Sequence, residues 1–248
     1  MTKTSGLWLE FNPSEQQRRE MTDQPAKIAV VIPAYNEAVC VEGVVRRVAS
    51  RFADIIVVDD GSSDQTAEAA KSGGAVVVRH LINRGQGAAL KTGIDYALAH
   101  GADIIVTFDS DGQHQLEDVE GLIAPVREGR CDVALGSRFL RNDSRVPFMR
   151  KLTLKLGVVF TRLVSRVKVT DTHNGLRALS RKAAEQIQIR QDRMAHASEI
   201  LDEIGRLGLR YCEAPTRIVY SEYSRSKGQR SSAALRIVWD FFIGKSGG

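Results

Sequence analysis

Two carboxylates, Asp109 and Asp111, lie two residues apart at the end of the short apolar run DIIVTFD (103–109). Carboxylates at i and i+2 just past a strand end can converge on one hard divalent cation, and oxygen ligands of this kind suit Mg2+ or Mn2+. Gln113 offers a neutral oxygen two residues further on. A cation held by one or two carboxylates commonly completes its shell with ligand phosphates. A second acidic group closes another apolar run, where VVDDGSSDQT (57–66) sets Asp59 and Asp60 ahead of Gly61 and Ser62. One of these carboxylates can accept from the N–H groups of a base while the turn backbone approaches a ribose. The same cluster can also cap the helix that follows. A third segment, NRGQGAALKTG (83–93), is a glycine-bearing helix entry. Gly85 and Gly87 permit close backbone approach to a ligand, whose negative charge the helix N-terminus favours. It fits neither GxGxxG nor GxxxxGK[ST].

Basic and potentially proton-moving groups follow later. GSRFLRNDSRVPFMRK (136–151) gathers Arg138, Arg141, Arg145, Arg150 and Lys151. Arginine holds a phosphate through two parallel hydrogen bonds. In MAHASEILDEIG (194–205), His196 and Glu199 are three residues apart and share a helix face. Glu199 is the candidate general base for a hydroxyl acceptor, with Asp192 second. An acceptor that is already an ionised phosphate needs no base.

The elements that must position these groups alternate along the chain. Short apolar runs at 27–33, 54–60, 75–80, 103–109 and 132–137 read as strands. Helical spacing is predicted at 38–52, 63–73, 87–101 and 116–129, with Ser63 or Asp64 capping the second of these and Gly73 and Gly101 as stops. Near-continuous apolar strands separated by helices predict an α/β fold with a mostly parallel sheet covered on both faces. Ligands of such sheets bind beyond the C-terminal strand ends, where the acidic residues gather. The second half is less regular, with helical patterns near 147–166, 181–188 and 196–207 and extended structure over 210–220.

VIPAYNEA (31–38), VVDDGSSDQT, NRGQGAALKTG and FDSDGQH (108–114), in this order, resemble glycosyltransferase family 2, most closely its dolichyl-phosphate mannose synthase-like branch. The likeness spans roughly residues 27–220. It implies a GT-A fold, a single Rossmann-like sheet flanked by helices with a less regular acceptor side towards the C-terminus. It also implies a nucleotide-diphosphate sugar donor and a bridging Mg2+ or Mn2+. By the same resemblance Pro33, Tyr35, Glu37 and one of Asp59 and Asp60 match nucleotide contacts. Asp109, Asp111 and Gln113 match the metal and sugar-phosphate site, and Arg138 and Arg150 match arginines facing an acceptor lipid phosphate. DTHNGLRALSRKA (171–183) resembles a family segment lying against the donor site, though His173 and Asn174 replace small hydroxyl residues. The expected activity is transfer of a hexose to a polyprenyl phosphate, with a sugar hydroxyl of a lipid-linked or cell-surface saccharide as the alternative acceptor.

Charge follows the same division. Residues 1–129 hold 12 basic and 19 acidic residues, and residues 130–248 hold 23 and 11. The acidic half suits a metal and donor, and the basic half suits an acceptor phosphate or an anionic membrane surface. A nucleic-acid-binding module is disfavoured, because no RNP-like or recognition-helix signature occurs and aromatics are 6%. A sugar nucleotidyltransferase is disfavoured because VIPAYNE lacks a glycine-rich loop and a basic residue. Residues 1–26 read as a flexible leader and 27–220 as the catalytic domain, with 27–137 as donor half and 138–220 as acceptor half. Residues 221–248 read as a basic tail and a short amphipathic helix. The tail's Arg225, Lys227 and Arg230 would suit a lid over the diphosphate, and LRIVWDFFI (235–243) would suit peripheral membrane contact. Cys40, Cys131 and Cys212, without a CxxC, read as free thiols in a reducing cytosol. With no apolar run of bilayer length and no secretory pattern, a cytoplasmic protein is expected, possessing at most a peripheral place at the inner membrane face.

Overall fold

The computed structural model describes residues 26–140, 167–172, 174–193 and 195–219. The predicted leader (apart from Ala26), the helix near 147–166, Arg150, His173, the lid and the C-terminal amphipathic helix lie outside the described residues.

The elements run β1 (Ile28–Ala34), α1 (Val41–Ala49), β2 (Asp54–Asp59), α2 (Thr66–Gly73), β3 (Val76–Arg79), α3 (Gln86–Ala99) and β4 (Ile104–Thr107). They continue with α4 (Val119–Arg127), β5 (Val133–Ser137), β6 (Arg177–Ser180), α5 (Arg181–Gln186), α6 (His196–Leu207) and β7 (Tyr211–Pro215). The sheet order is β3-β2-β1-β4-β6-β5-β7. β1 pairs in parallel with β2 and β4, β2 with β3, and β5 with β7. β6 is antiparallel to both its neighbours, β4 and β5.

Alternating side chains of one strand leave for opposite faces, and here both faces are covered. Val31 of β1 packs with Leu90 and Ile94 of α3 and Ile200 and Ile204 of α6. Its neighbours Val30 and Ile32 pack on the other face with Val44 and Val48 of α1 and Leu122 and Ile123 of α4. This two-sided burial is why β1 and β2 read as unbroken apolar runs. In α1, Val41, Val44, Val45 and Val48 are buried, the i, i+3, i+4, i+7 stripe of an amphipathic helix. Each valine so buried contributes on the order of 2 kcal/mol.

Sequence spacing places the first five strands within a residue or two. It misses β6, whose four residues RALS carry an arginine and a serine at the ends and form no apolar run. Pairing on both sides supplies what local pattern does not. The N-cap of α2 falls on Gln65, although Asp64 does cap chemistry from one residue earlier by accepting from Thr66 N–H at 3.1 Å. That helix runs through Gly73 and ends on Gly74, which takes the left-handed conformation at φ 101°. All three cysteines are free thiols. Cys131 Sγ and Cys212 Sγ lie 2.7 Å apart, and burial with the neighbouring Cys212 pushes the Cys131 thiol up to about 12. Among the described residues no helix is long and apolar enough to cross a membrane.

Candidate active site

The loops beyond β1, β2, β3 and β4 meet along one edge of the sheet and are tied by their own side chains. Asn36, at φ 54°, donates its backbone N–H to Ser62 Oγ at 2.9 Å and accepts from Ser63 N–H at 2.9 Å. Glu37 N–H donates to Thr66 Oγ1 at 2.8 Å. Pro33 is buried in β1, while Tyr35 is 47% exposed beside it.

Asp59 and Asp60 are both buried, and both are occupied by protein. Asp59 accepts from Ser62 N–H at 2.9 Å and faces Arg79 Nε at 3.1 Å. Asp60 accepts from Arg84 N–H at 3.0 Å and Gly85 N–H at 2.6 Å, and lies 2.7 Å from His80 Nδ1. His80 Nε2 in turn meets Thr92 Oγ1 of α3 at 2.9 Å. Asp60 thus supplies the carboxylate at the start of α3 and fixes the 83–86 turn. At Gly85, φ is 107° and an added Cβ would lie 2.4 Å from the Asp192 carbonyl oxygen. The close approach that the glycines at 85 and 87 permit is taken by residues 191–193 of the chain itself.

At the end of β4 the paired carboxylates have different surroundings. Asp109 Oδ2 lies 2.8 Å from His114 Nε2, and Asp109 Oδ1 accepts from Gln86 Nε2 at 3.2 Å. Burial acts to raise its carboxyl, but His114, Arg177 and His196 outweigh it and hold the group below the ordinary value. Asp111 accepts from Gln113 N–H at 3.0 Å and from Gln113 Nε2 at 2.6 Å. Burial and the negative charges of Asp109 and Glu37 push its carboxyl up to about 6. Gln113 is thus tied to Asp111 through its amide nitrogen, beside the carboxylates where spacing expects its amide oxygen to serve.

Among the described residues no three His, Cys, Asp or Glu side chains converge on one point. The fit to a divalent cation rests instead on Asp111, whose carboxyl is buried beside the negative charges of Asp109 and Glu37 with only partial relief from Gln113 and His114. A cation beside Asp109 and Asp111 would neutralise that charge, and ligand oxygens would fill the rest of its shell.

Gly175 presses on Asp109. A Cβ there would lie 2.4 Å from Asp109 Oδ2, and Thr107 Oγ1 donates to the Gly175 carbonyl at 2.6 Å, so the backbone does not yield easily. Gly175→Ala is expected to turn the Asp109 carboxylate aside. Divalent-ion affinity, followed by Mn2+ titration, should fall at least about tenfold. Because the clash is with a side-chain end, the melting temperature should fall by less than a core overpacking of about 1–3 kcal/mol would produce.

Beyond β5, the structure places Arg138 not on a solvated loop but in a buried ion pair. Its Nε and Nη2 donate to Asp171 Oδ2 and Oδ1 at 2.7 and 2.8 Å. Arg138 is 5% exposed. Glu213 of β7 holds the partner segment by accepting from Thr170 N–H and Oγ1, both at 2.8 Å.

The two base candidates stand apart from this cluster's hydrogen bonds. Glu199 accepts from Arg190 N–H at 3.0 Å and Gln191 N–H at 2.9 Å, and burial raises its carboxyl. Asp192 lies 3.5 Å from Arg84. His196 is buried, with Nδ1 2.7 Å from the Arg193 carbonyl, and does not pair with Glu199.

Sequence reasoning did not single out His114, Asp171, Gly175 or Arg177 as site residues. His114 stood at the end of FDSDGQH, and the other three stood in DTHNGLRALSRKA. The segments carried the signal, but no spacing rule told which side chain turns inward.

A seven-stranded α/β sheet with an acidic C-terminal edge at β4 and one antiparallel strand inserted between β4 and β5 defines the GT-A fold of glycosyltransferases. The sequence matches the family described as Glycosyl transferase family 2 over residues 29–188. The chain belongs to this family and is a glycosyltransferase. It is 38% identical over 225 residues to an uncharacterized protein of Methanocaldococcus jannaschii, covering 88% of this chain and 92% of that one. It is 32% identical over 243 residues to the UDP-N-acetylglucosamine–dolichyl-phosphate N-acetylglucosaminyltransferase of Methanococcus voltae, covering 89% and 96%. Among solved structures, glucosyl-3-phosphoglycerate synthase from Mycobacterium tuberculosis with Mn2+ and UDP-glucose superposes with TM-score 0.67 at 20% identity, over 96% of this chain and 85% of that one. That likeness speaks to the fold alone.

Proposed function

We propose that the chain transfers a hexose from a nucleotide-diphosphate sugar to a polyprenyl phosphate of the dolichyl or undecaprenyl type. The observation that carries the reading is the contrast between the ends of β4 and β5. Carboxylates crowd the end of β4, and the Arg138–Asp171 pair lies buried at the end of β5, with β6 between them. In this reading 27–137 forms the donor half and 138–220 the acceptor half. Tyr35, Glu37 and the Asp59–Asp60 turn line the nucleotide, and Arg138 with Arg150 faces the acceptor phosphate. A Mg2+ or Mn2+ ion beside Asp109 and Asp111 supplies positive charge to the departing diphosphate. The relatives support the acceptor class, since one is named for dolichyl phosphate and a Micrococcus luteus relative, 29% identical over 213 residues, is named an undecaprenyl-phosphate mannosyltransferase.

Transfer to a sugar hydroxyl would call for a base. Glu199 is engaged by two backbone N–H groups and Asp192 faces Arg84, which favours the acceptor that needs none. A lipid acceptor puts the enzyme at a membrane surface, peripherally and on the cytoplasmic side. Supplying radiolabelled UDP- and GDP-sugars with polyprenyl phosphate or a polyprenyl-linked saccharide separates the acceptors. Label should enter the polyprenyl phosphate and be lost on Arg138→Ala. Label entering only the saccharide would overturn the acceptor assignment.

A further inference from the structure

Arg177 opens β6, the strand inserted between β4 and β5, and is 3% exposed. It pairs in register with Thr107 on one side and Leu135 on the other. Thr107 stands two residues before Asp109, and Gly175, two residues before Arg177, is the residue whose Cβ would strike Asp109. Strand alternation puts Arg177 on the face of Leu179, the face that α3, α5 and α6 cover. Its Nη1 is buried without a hydrogen-bond partner.

A buried guanidinium cannot shed its charge, and an incompletely paired one costs stability. The nearby anions already have closer partners. Asp171 is held bidentately by Arg138, and Asp109 by His114 and Gln86. Burial pulls the Arg177 pKa down, and Asp109 and Asp171 only partly offset that. Within β6 itself Ala178 and Leu179 are ordinary core residues, so the charges Arg177 meets are those of Asp109 and Asp171 beyond the strand.

We propose that Arg177 is a cation held in reserve for the phosphate groups of a ligand. Acting across Asp109, it balances the negative charge that the ligand brings and that grows as the sugar–phosphate bond breaks. The inference rests on the phosphate chemistry proposed above. Its place beside Asp109 and Gly175 assigns it to the donor diphosphate rather than to the acceptor phosphate. Arg177 is thus a positioning residue working by charge.

Substitution by methionine keeps the length and removes the charge, and Arg177→Lys keeps the charge. Three readouts separate the roles: Mn2+ alone, UDP or GDP in the presence of Mn2+, and farnesyl phosphate. Arg177→Met is expected to weaken nucleoside diphosphate binding by at least about tenfold, as a nearby unit charge does at an effective dielectric of about 20. Mn2+ alone should bind as tightly as to the wild type or more tightly, because a repelling cation is gone. The melting temperature should hold or rise, and Arg177→Lys should restore most of the diphosphate affinity. A loss confined to farnesyl phosphate would keep the reserved cation and overturn its donor assignment. Unchanged binding of both phosphates in Arg177→Met would overturn the proposal. So would a joint weakening of Mn2+ and diphosphate with a lower melting temperature, the mark of a structural residue. Wild-type protein that binds neither phosphate ligand would refute the proposed function instead.

Discussion

Asp111→Asn is expected to lower sugar transfer by at least about a hundredfold, the scale on which removing one preorganised electrostatic group from an active site acts. Asparagine keeps the shape and the acceptor oxygen but removes the charge that a divalent cation needs. The same substitution should leave the metal-free protein no less stable, because the Asp111 carboxylate is repelled by Asp109 and Glu37 and only partly relieved by Gln113. The pH dependence carries the same signature. The Asp111 carboxyl is raised from 3.8 to about 6, so metal-dependent binding should decline as pH falls through about 6 and the proton displaces the cation. Stability of the metal-free protein should move the other way. A carboxyl raised on folding binds its proton more tightly in the folded state, so its stabilising contribution is full below 3.8 and is lost as pH rises through about 6. Melting curves and Mn2+ titrations between pH 4.5 and 8, both flattened in Asp111→Asn, would test the two trends together.

The second large effect concerns stability. Asp171→Ala strips Arg138 of its bidentate carboxylate in a site where the two side chains are 0% and 6% exposed. Removing one partner of a buried pair costs about 3–5 kcal/mol, which for a domain of this size lowers the melting temperature by on the order of 10 °C. The double variant Arg138→Met/Asp171→Leu replaces the pair by apolar bulk and should recover most of that loss, since such replacements are often neutral. It should not recover transfer, because Arg138 faces the acceptor phosphate in the proposed reading. Thermal unfolding and transfer assays on the same samples separate the two roles. Recovery of both would show that the pair serves only the fold.

What was legible in the sequence followed the physics of each segment. β1, β2, β4 and β5 were visible because both sheet faces are covered and every residue of these strands is apolar except near the ends. The helical pattern near 196–207 is α6, His196–Leu207, whose buried Ala197, Ile200, Leu201 and Ile204 form an apolar stripe. The acidic edge followed from where parallel strands end. β6 was not legible, since a four-residue strand with Arg177 buried at its head breaks the apolar pattern. The functions of single side chains were also out of reach. Spacing offered Gln113 for its amide oxygen, and did not tell that its amide nitrogen donates to Asp111. It offered Gly85 and Gly87 to a ligand without showing that the side a Cβ would occupy faces residues 191–193, more than a hundred positions away. It pointed to Arg138 for its arginine chemistry, but not to the Asp171 that holds it. Such partners come from strands brought together only by the sheet order.

Calorimetric titration of UDP or GDP into the protein, with and without Mn2+, tests the central claim most directly. Binding should appear only with the metal and vanish in Asp111→Asn. Equal binding without metal, or binding that Asp111→Asn leaves untouched, would contradict a cation held by the β4 carboxylates against the donor diphosphate.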